Sequence, residues 1–346
     1  MKIVIRKANL RSDKGLIIDT LPRFLTPLSD APRFNWLYKN NPHGEAHAWV
    51  AYRVDDETVI GMSAAFPRQI YVDGNEEVSW VLGDFCIDGA YRSLGPALML
   101  QRASLAEADL AGVAFCYDFP SSSMMAVYKR LQIAPFAQMI RLAKPLRVDR
   151  KMKELIKDQT IRHLLSTGGN FLLRRGERKY TRERGLQVSL CKGDCGAEFS
   201  ELAKSIGGRY GICIQRSAEY LNWRYVNSPL YQYELFTVRR DGALLGYAVF
   251  LQDGEDAMLV DVFGIEEEYV PSALVAHGVA QMAARGVQTV SAGLVEAHPW
   301  RALLERQGFK VREVSPFIVY SPSGSESRTS LMKERKWLVM QGDRDS

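Results

Sequence analysis

An eight-residue pattern occurs twice in this chain and constrains its fold more than any other feature. Residues 35–42 read Asn-Trp-Leu-Tyr-Lys-Asn-Asn-Pro, and residues 222–229 read Asn-Trp-Arg-Tyr-Val-Asn-Ser-Pro, with Asn, Trp, Tyr, Asn and Pro in register 187 positions apart. Weaker similarities follow in the same order, pairing residues 59–65 with 244–250, 82–86 with 259–263, and 112–113 with 286–287. Such self-similarity indicates a duplicated domain. The simplest interpretation is two copies of one domain.

The composition fits this interpretation. The chain has 346 residues, 47% apolar and 25% charged, which suffices for two globular domains. No apolar run approaches the length of a membrane span, and the N-terminus is charged too soon for a signal peptide, so we expect a cytoplasmic protein. Five scattered cysteines predict reduced thiols. Because Cys191 and Cys195 have no second Cys/His pair close by, no metal site is predicted.

Positive charge is concentrated between the two copies. Residues 144–184 contain thirteen Lys or Arg and five Asp or Glu, although the net charge of the whole chain is only +5. We interpret residues 146–185 as a basic helical linker. A solvated face is the simplest role for it, and contact with an anionic membrane surface or attraction of an anionic substrate is the alternative.

A strand, a turn and a helix follow one another between Val78 and Leu110. Residues 78–87 are rich in apolar, β-favouring types, which predicts a buried strand. Gly95 and Pro96 suit the start of a helix, and the apolar residues after them recur at helical spacing. Free amides at the start of a helix, with the positive end of its dipole behind them, form a site for phosphate.

The sequence Arg92-Ser93-Leu94-Gly95-Pro96-Ala97 resembles the Arg/Gln-x-x-Gly-x-Gly/Ala motif of the GNAT superfamily of N-acetyltransferases. The resemblance implies an α/β fold of two GNAT-like domains, each a mixed central sheet flanked by helices. It also implies acetyl-CoA, or another acyl-CoA, as cofactor. Pro96 departs from the pattern because it cannot donate an amide hydrogen. The resemblance assigns the pantetheine arm and the pyrophosphate of the cofactor to Phe85, Cys86, Ile87, Arg92, Ser93, Leu94, Gly95, Pro96, Ala97 and Leu98.

The same resemblance implies catalytic residues. Tyr128, in a predicted helix that begins near Ser121, matches the position of a tyrosine that protonates the departing CoA thiolate. Gln132-Ile133 replaces the usual Gly-Phe stop after it, and a half-packed amphipathic tyrosine is the alternative. Asp84 is the preferred general base, ahead of Glu76 and Glu77, because an acid in an apolar strand needs a partner or a raised pKa. A structural acid is the alternative role for Asp84.

The second copy lacks the phosphate motif of the first. Residues 269–273 read Tyr-Val-Pro-Ser-Ala, without the Arg and the Gly, and Leu304 stands where the helix end aligns with Tyr128. We therefore predict acyl-CoA binding in the first copy, with the second shaping an acceptor cleft or supporting the fold. The predicted domains are residues 1–145 and 186–320, with the linker at 146–185 and a tail at 321–346, whose apolar residues 337–340 are expected to dock onto the body.

The four aromatic residues of the repeated motif are candidate acceptor contacts. Trp36, Tyr38, Trp223 and Tyr225 would suit stacking on a sugar or nucleotide. The alternative is a core contact common to both copies.

The predicted activity is transfer of an acyl group, most simply acetyl, from CoA to a small-molecule amine, with an amino sugar or sugar nucleotide as one acceptor class. No DNA partner is expected, and the oligomeric state is left open. The alternatives are a Fem-type aminoacyl or long-chain acyl transferase, whose RNA binding would depend strongly on salt, and a non-catalytic CoA-binding or interaction module.

Overall fold

The computed structural model describes residues 2–91, 94–147, 185–265, 267–322, 332–333 and 335–344. Most of the predicted linker and part of the tail lie outside these ranges, and so do Arg92 and Ser93 of the phosphate motif. All five cysteines fall within them and are unpaired, as the sequence predicts.

The first half runs from β1 to β6. Its elements are β1 (Ile3–Lys7), α1 (Lys14–Phe24), α2 (Ala31–Phe34), β2 (His47–Arg53), β3 (Val59–Val72), β4 (Asn75–Ile87), α3 (Leu94–Ala111), β5 (Cys116–Asp118), α4 (Ser122–Arg130) and β6 (Ala137–Pro145). A π-helical turn, Asn35–Lys39, follows α2.

The second half repeats this order with one added strand, β8. Its elements are β7 (Gln187–Leu190), α5 (Ala197–Gly207), β8 (Ile212–Ile214), α6 (Ala218–Leu221), β9 (Tyr233–Arg240), β10 (Ala243–Asp253), β11 (Asp256–Gly264), α7 (Tyr269–Ala284), β12 (Thr289–Val295), α8 (Arg301–Arg306) and β13 (Lys310–Tyr320). A second π-helical turn, Asn222–Val226, follows α6, and the tail adds β14 (Trp337–Leu338) and a 3-10 turn at Gln341–Asp343.

One mixed sheet runs through both halves in the order β1-β2-β3-β4-β5-β13-β6-β12-β11-β10-β9-β7. The pairs β4–β5 and β11–β12 are parallel, and the remaining neighbours along this path are antiparallel. The halves exchange their last strands, because β13 lies between β5 and β6, and β6 lies between β13 and β12. The predicted α/β class is confirmed, and the exchange places β6, at the predicted boundary, among strands of the second half.

The repeated motif forms a reciprocal contact where the halves meet. The indole rings of Trp36 and Trp223 stack with their centroids 5.0 Å apart. Each indole N–H donates to the main-chain carbonyl of the other tryptophan at 2.8 Å. Both short helices before these turns are capped, by Asp30 and by Ser217. This contact needs the same residue in both copies.

Both parallel strand pairs separate part-way along. β4 and β5 pair only at Trp80 and Val81, and β11 and β12 pair only over residues 256–259 of β11. A bulge in β4 places Asp84 at φ 45°, in the left-handed region that aspartate tolerates better than most residues. Each half therefore has a gap between two diverging strands next to the start of a long helix.

Candidate functional site

A cavity of about 800 Å³ occupies the gap in the first half. Its walls come from α1 and the loop after it, from β4, from the start of α3, from residues 118–127, and from parts of the second half and the tail. The lining residues include Arg33, Asp84, Phe85, Cys86, Ile87, Ala97, Asp118, Phe119, Ala126 and Arg344.

The strand β4 forms one wall of the cavity. Phe85, Cys86 and Ile87 all line it, and their predicted contact with pantetheine stays a prediction. Because β5 pairs with β4 only at Trp80 and Val81, the β4 backbone beyond those residues has no β5 partner on this side. Burial raises the pKa of the Cys86 thiol to about 12, so this thiol stays protonated and unreactive near neutral pH.

The start of α3 adjoins the cavity. Ala97, in its first turn, lines the cavity, and Leu98 packs in a cluster with Phe85. Gly95 is exposed and Pro96 is buried. Pro96 has no amide hydrogen, and the other amides of the first turn have no intrahelical acceptor, which leaves a positive helix end close to the cavity.

Asp84 lies in a buried charge network at the edge of the cavity. Arg33 donates to both oxygens of its carboxylate, at 2.9 and 2.7 Å, and the Tyr38 hydroxyl donates at 2.6 Å. Asp84 is 4% exposed. Burial, and then the Asp84 charge, raise the pKa of Tyr38 well above 10. These contacts favour the structural alternative for Asp84 over the predicted role as base, which stays a prediction. Glu76 and Glu77 lie at the start of β4 and do not line the cavity.

Tyr128 lies on α4, behind the cavity wall. Its side chain is fully buried, and its hydroxyl donates to Asp118 at 2.6 Å. The amide of Gln101 donates to the same hydroxyl at 3.4 Å. Burial, and then the Asp118 charge, raise the pKa of Tyr128 well above 10. Tyr128 is absent from the described cavity lining, although Met124 and Val127 on the same helix belong to it. Its role as general acid stays a prediction.

Sequence reasoning missed Arg33, which pairs with Asp84, and two further charged residues at the cavity. Asp118 ends β5 and lines the cavity. Its position at the carboxyl end of a buried strand was the signal that marks it. Arg344 reaches the cavity from the tail, and no sequence pattern places a tail residue there.

The gap in the second half is filled by the tail. The expected docking of residues 337–340 is confirmed, because all four are buried. Met340 bridges to Leu294 of β12, and the turn Gln341–Asp343 that follows packs against β11 and β12. A Cβ atom built on Gly342 would lie 2.1 Å from the Tyr225 hydroxyl oxygen, so only glycine fits here.

A second charge network fixes this turn. Arg216, fully buried, donates to Asp261 of β11 at 3.0 and 3.1 Å and to Asp343 of the tail at 3.1 and 2.9 Å. Tyr225 and Tyr247 also donate to Asp261. Asp261 thus occupies in the second half the position that Asp84 has in the first, with a tail carboxylate added.

The four aromatic candidates do not reach the cavity. Tyr38 and Tyr225 are buried beside Asp84 and Asp261. Trp36 and Trp223 are 6% and 7% exposed, and only their edges border a separate groove. Their rings stack on each other, which favours the core-contact alternative, and their predicted role in acceptor binding stays untested.

Among the described residues, no helix is long and apolar enough to cross a membrane. Within the same part of the chain, no three His, Cys, Asp or Glu side chains are grouped to hold a metal ion.

Comparisons with known proteins identify the fold. No protein-family model matches the sequence, and no curated protein matches it significantly. Several solved structures do match. A probable N-acyltransferase of unknown function from Enterococcus faecalis has a TM-score of 0.66 at 13% identity, over 96% of this chain and 75% of that one. A GCN5-related N-acetyltransferase from Anabaena variabilis has a TM-score of 0.64 at 14% identity, over 92% and 72%.

A more distant match is the N-myristoyltransferase of Saccharomyces cerevisiae with bound myristoyl-CoA. Its TM-score is 0.57 at 12% identity, over 92% of this chain and 82% of that one. These matches cover nearly the whole chain, so the predicted architecture of two GNAT-like domains is confirmed. At such low identity they establish the fold and no more.

Proposed function

We propose that this chain is an acyl-CoA-dependent N-acyltransferase and that its first half binds the cofactor. The observation that carries the proposal is the cavity of about 800 Å³ between β4 and β5, next to the start of α3. We also infer that the chain arose by tandem duplication. The reciprocal contact between Trp36 and Trp223 and the matched networks around Asp84 and Asp261 support this inference.

The cofactor follows the cavity wall in this proposal. The pyrophosphate lies at the start of α3, against the amides of Leu94, Gly95, Ala97 and Leu98, and the phosphate motif assigns Arg92 and Ser93 to the same group. The pantetheine arm runs along Phe85, Cys86 and Ile87, where its amide groups pair with the β4 backbone that β5 leaves free. Acetyl-CoA is the simplest cofactor, and the size of the cavity leaves room for a longer acyl chain. The gap in the second half, filled by Gly342 and its neighbours, takes no cofactor.

Amide formation requires a neutral amine, because an ammonium group has no lone pair to attack the thioester carbonyl. We assign acceptance of the amine proton to Asp118, whose carboxylate lines the cavity. We assign Asp84 to structure, because Arg33 and Tyr38 already donate to its oxygens. The CoA thiolate leaves with a pKa near that of cysteine, about 8.5, and takes up a proton.

Tyr128 acts through Asp118 in this geometry, since its hydroxyl donates to that carboxylate. The Tyr128→Phe variant distinguishes this positioning role from direct protonation of the thiolate. A positioning role predicts a lower kcat/KM for the amine and an altered pH profile for that parameter. A general acid predicts a loss in kcat of about 10²- to 10⁴-fold with unchanged acyl-CoA binding.

The proposal is tested by calorimetric titration with acetyl-CoA, myristoyl-CoA and free CoA. Ala126 is an exposed residue of α4 that lines the cavity, so Ala126→Trp fills the cavity without disturbing the core. Lys129→Trp places the same ring on an exposed part of the same helix outside the lining. We expect micromolar binding in the wild type and in Lys129→Trp, and loss of binding in Ala126→Trp.

Two other outcomes point to the alternatives. Acyl-CoA binding without thiol release for any amine would favour a non-catalytic module. Absence of binding to any CoA compound would remove the proposal. Salt-sensitive binding of aminoacyl-tRNA in its place would favour Fem-type transfer.

A further inference from the structure

Four charged side chains line the cavity, and three of them have clear partners. Arg33 pairs with Asp84 within the buried network, and Asp118 accepts from Tyr128. Arg344 differs from these three. Across the described residues no acid pairs with its guanidinium group, which lies over the ring of Phe119 with 5.0 Å between the guanidinium carbon and the ring centroid. A guanidinium group that lines a cavity and pairs with no described acid suits a bound anion.

The position of Arg344 is fixed by the residues before it. The carboxylate of Asp343 is buried and paired with Arg216. The main-chain carbonyl of Asp343 accepts from the Tyr117 hydroxyl at 3.0 Å, and that of Arg344 accepts from Arg224 at 3.3 Å. The tail is thus anchored by residues of both halves, and its last described side chain reaches the cavity of the first. Stacking on Phe119 leaves the guanidinium N–H groups available in the plane of the group.

Arg344 lines the same cavity as Asp118 and Phe119. Phe119, on which it stacks, directly follows Asp118, the proposed proton acceptor for the amine. The proposed pyrophosphate site lies elsewhere, at the start of α3. A group held by Arg344 therefore belongs near the acceptor amine.

We propose that Arg344 binds an anionic group of the acceptor, so that the substrate is an amine that also carries a carboxylate or a phosphate. This inference rests on the proposed function and adds the acceptor class to it. Asp118 and Arg344 then receive the two ends of one molecule, the ammonium end and the acidic end. A guanidinium group binds either anion through two parallel hydrogen bonds.

The test compares matched amines with wild type, Arg344→Gln and Arg344→Lys. The probes are L-alanine with L-alaninamide, and glucosamine 6-phosphate with glucosamine. Turnover is followed as CoA thiol release from acetyl-CoA and from myristoyl-CoA, and acyl-CoA affinity is measured separately for each variant. Thermal midpoints with each amine at millimolar concentration give a second readout that does not need turnover.

We expect the wild type to prefer the anionic member of at least one pair by about tenfold or more, in kcat/KM or in thermal stabilisation. Arg344→Gln should lose this preference with the acyl-CoA dissociation constant changed less than twofold, and Arg344→Lys should retain part of it. A wild type without preference for anionic amines in either readout would overturn the inference. So would an Arg344→Gln variant that weakens acyl-CoA instead, which would assign the anion to the cofactor.

The failure of the proposed function is distinguishable from these results. If the wild type binds no acyl-CoA, the proposed function fails. The thermal comparison of the amine pairs then still decides, on its own, whether Arg344 selects for an anionic group.

Discussion

The two halves of this molecule place the same charged framework beside the same kind of gap, and only one gap is open. In the first half, Asp84 is held by Arg33 and Tyr38 and borders a cavity of about 800 Å³. In the second half, Asp261 is held by Arg216 and Tyr225, and the tail turn at Gln341–Asp343 occupies the corresponding space.

The difference between the open gap and the filled gap shows that diverging strands create a space. Other parts of the chain determine whether that space stays open. An empty gap between β11 and β12 would expose apolar strand and unpaired backbone. The tail covers this gap with its own backbone and adds one carboxylate, Asp343, to the network around Arg216. The first half has no such cover among its described residues and keeps a cavity, in which we propose that the pantetheine arm of the cofactor lies.

The largest expected effect is a difference in stability loss between variants of Asp84 and Asp261. Breaking a buried ion pair costs about 3–5 kcal/mol, and we expect Asp84→Ala to lower the free energy of unfolding by this amount. Asp261→Ala should cost less, about 2–3 kcal/mol, because Asp343 still pairs with Arg216. Urea unfolding at pH 7 measures both.

The same two variants should differ in cofactor binding. Asp84 borders the cavity, so its loss should weaken acyl-CoA, whereas Asp261→Ala should leave acyl-CoA affinity unchanged. Equal losses of stability, or equal effects on acyl-CoA affinity, would contradict the proposed difference between Asp84 and Asp261.

A smaller effect concerns the loss of folding stability at low pH, to which one buried histidine in each half is expected to contribute. Burial, and then a nearby arginine, lower the pKa of His43 and of His298 from 6.5 to about 3. The folded state thus binds fewer protons than the unfolded state between these values. The stabilisation from each neutral histidine is complete above pH 6.5 and is lost as the pH falls towards 3, by about 2–3 kcal/mol at pH 4.5.

Variants of the two histidines isolate this contribution. His43→Phe keeps a ring against Tyr220, whose centroid lies 4.5 Å from that of His43. His298→Asn keeps an acceptor for the amide of Trp300. Each variant should flatten the loss of stability between pH 6.5 and 4.5 relative to wild type. An unchanged slope for one of them would show that its histidine takes up protons in the folded state.

The smallest effect compares the two tyrosines of the repeated motif. Tyr38 donates to Asp84 at 2.6 Å, and Tyr225 donates to Asp261 at 3.3 Å. Since a hydrogen bond to a charged group contributes about 1.5–3 kcal/mol, Tyr38→Phe should cost about 2 kcal/mol. Tyr225→Phe should cost about 1 kcal/mol or less. Guanidinium unfolding of the pair checks the order, and the reverse order would show that the longer contact is the stronger one.

Much of the fold was predictable because it follows local patterns. The repeated motif and the buried strand before Gly95 predicted the α/β class and the repeated order of elements. The phosphate motif, present only in the first copy, pointed to the half in which the cavity lies. The strand exchange was not predictable. The apolar pattern of β6 or of β13 predicts a strand but does not indicate which strand pairs with it.

The site was predictable only where one segment builds it. Phe85, Cys86 and Ile87 line the cavity because it lies along the edge of β4 that β5 leaves unpaired, where residues from both faces of the strand meet it. The partners of Asp84 were hidden because Arg33 lies 51 residues away. Arg344 was harder still to predict, because its position depends on the ion pair between Arg216 and Asp343, which are far apart in the sequence.

The most direct test of the central claim is hydrogen–deuterium exchange of the full chain with and without saturating myristoyl-CoA. We expect added protection at residues 82–87 and 94–98 in the first half, and no change at residues 259–264 and 269–273 in the second. Protection of the second set, or of both sets equally, would contradict the claim that one gap binds acyl-CoA while the tail closes the other.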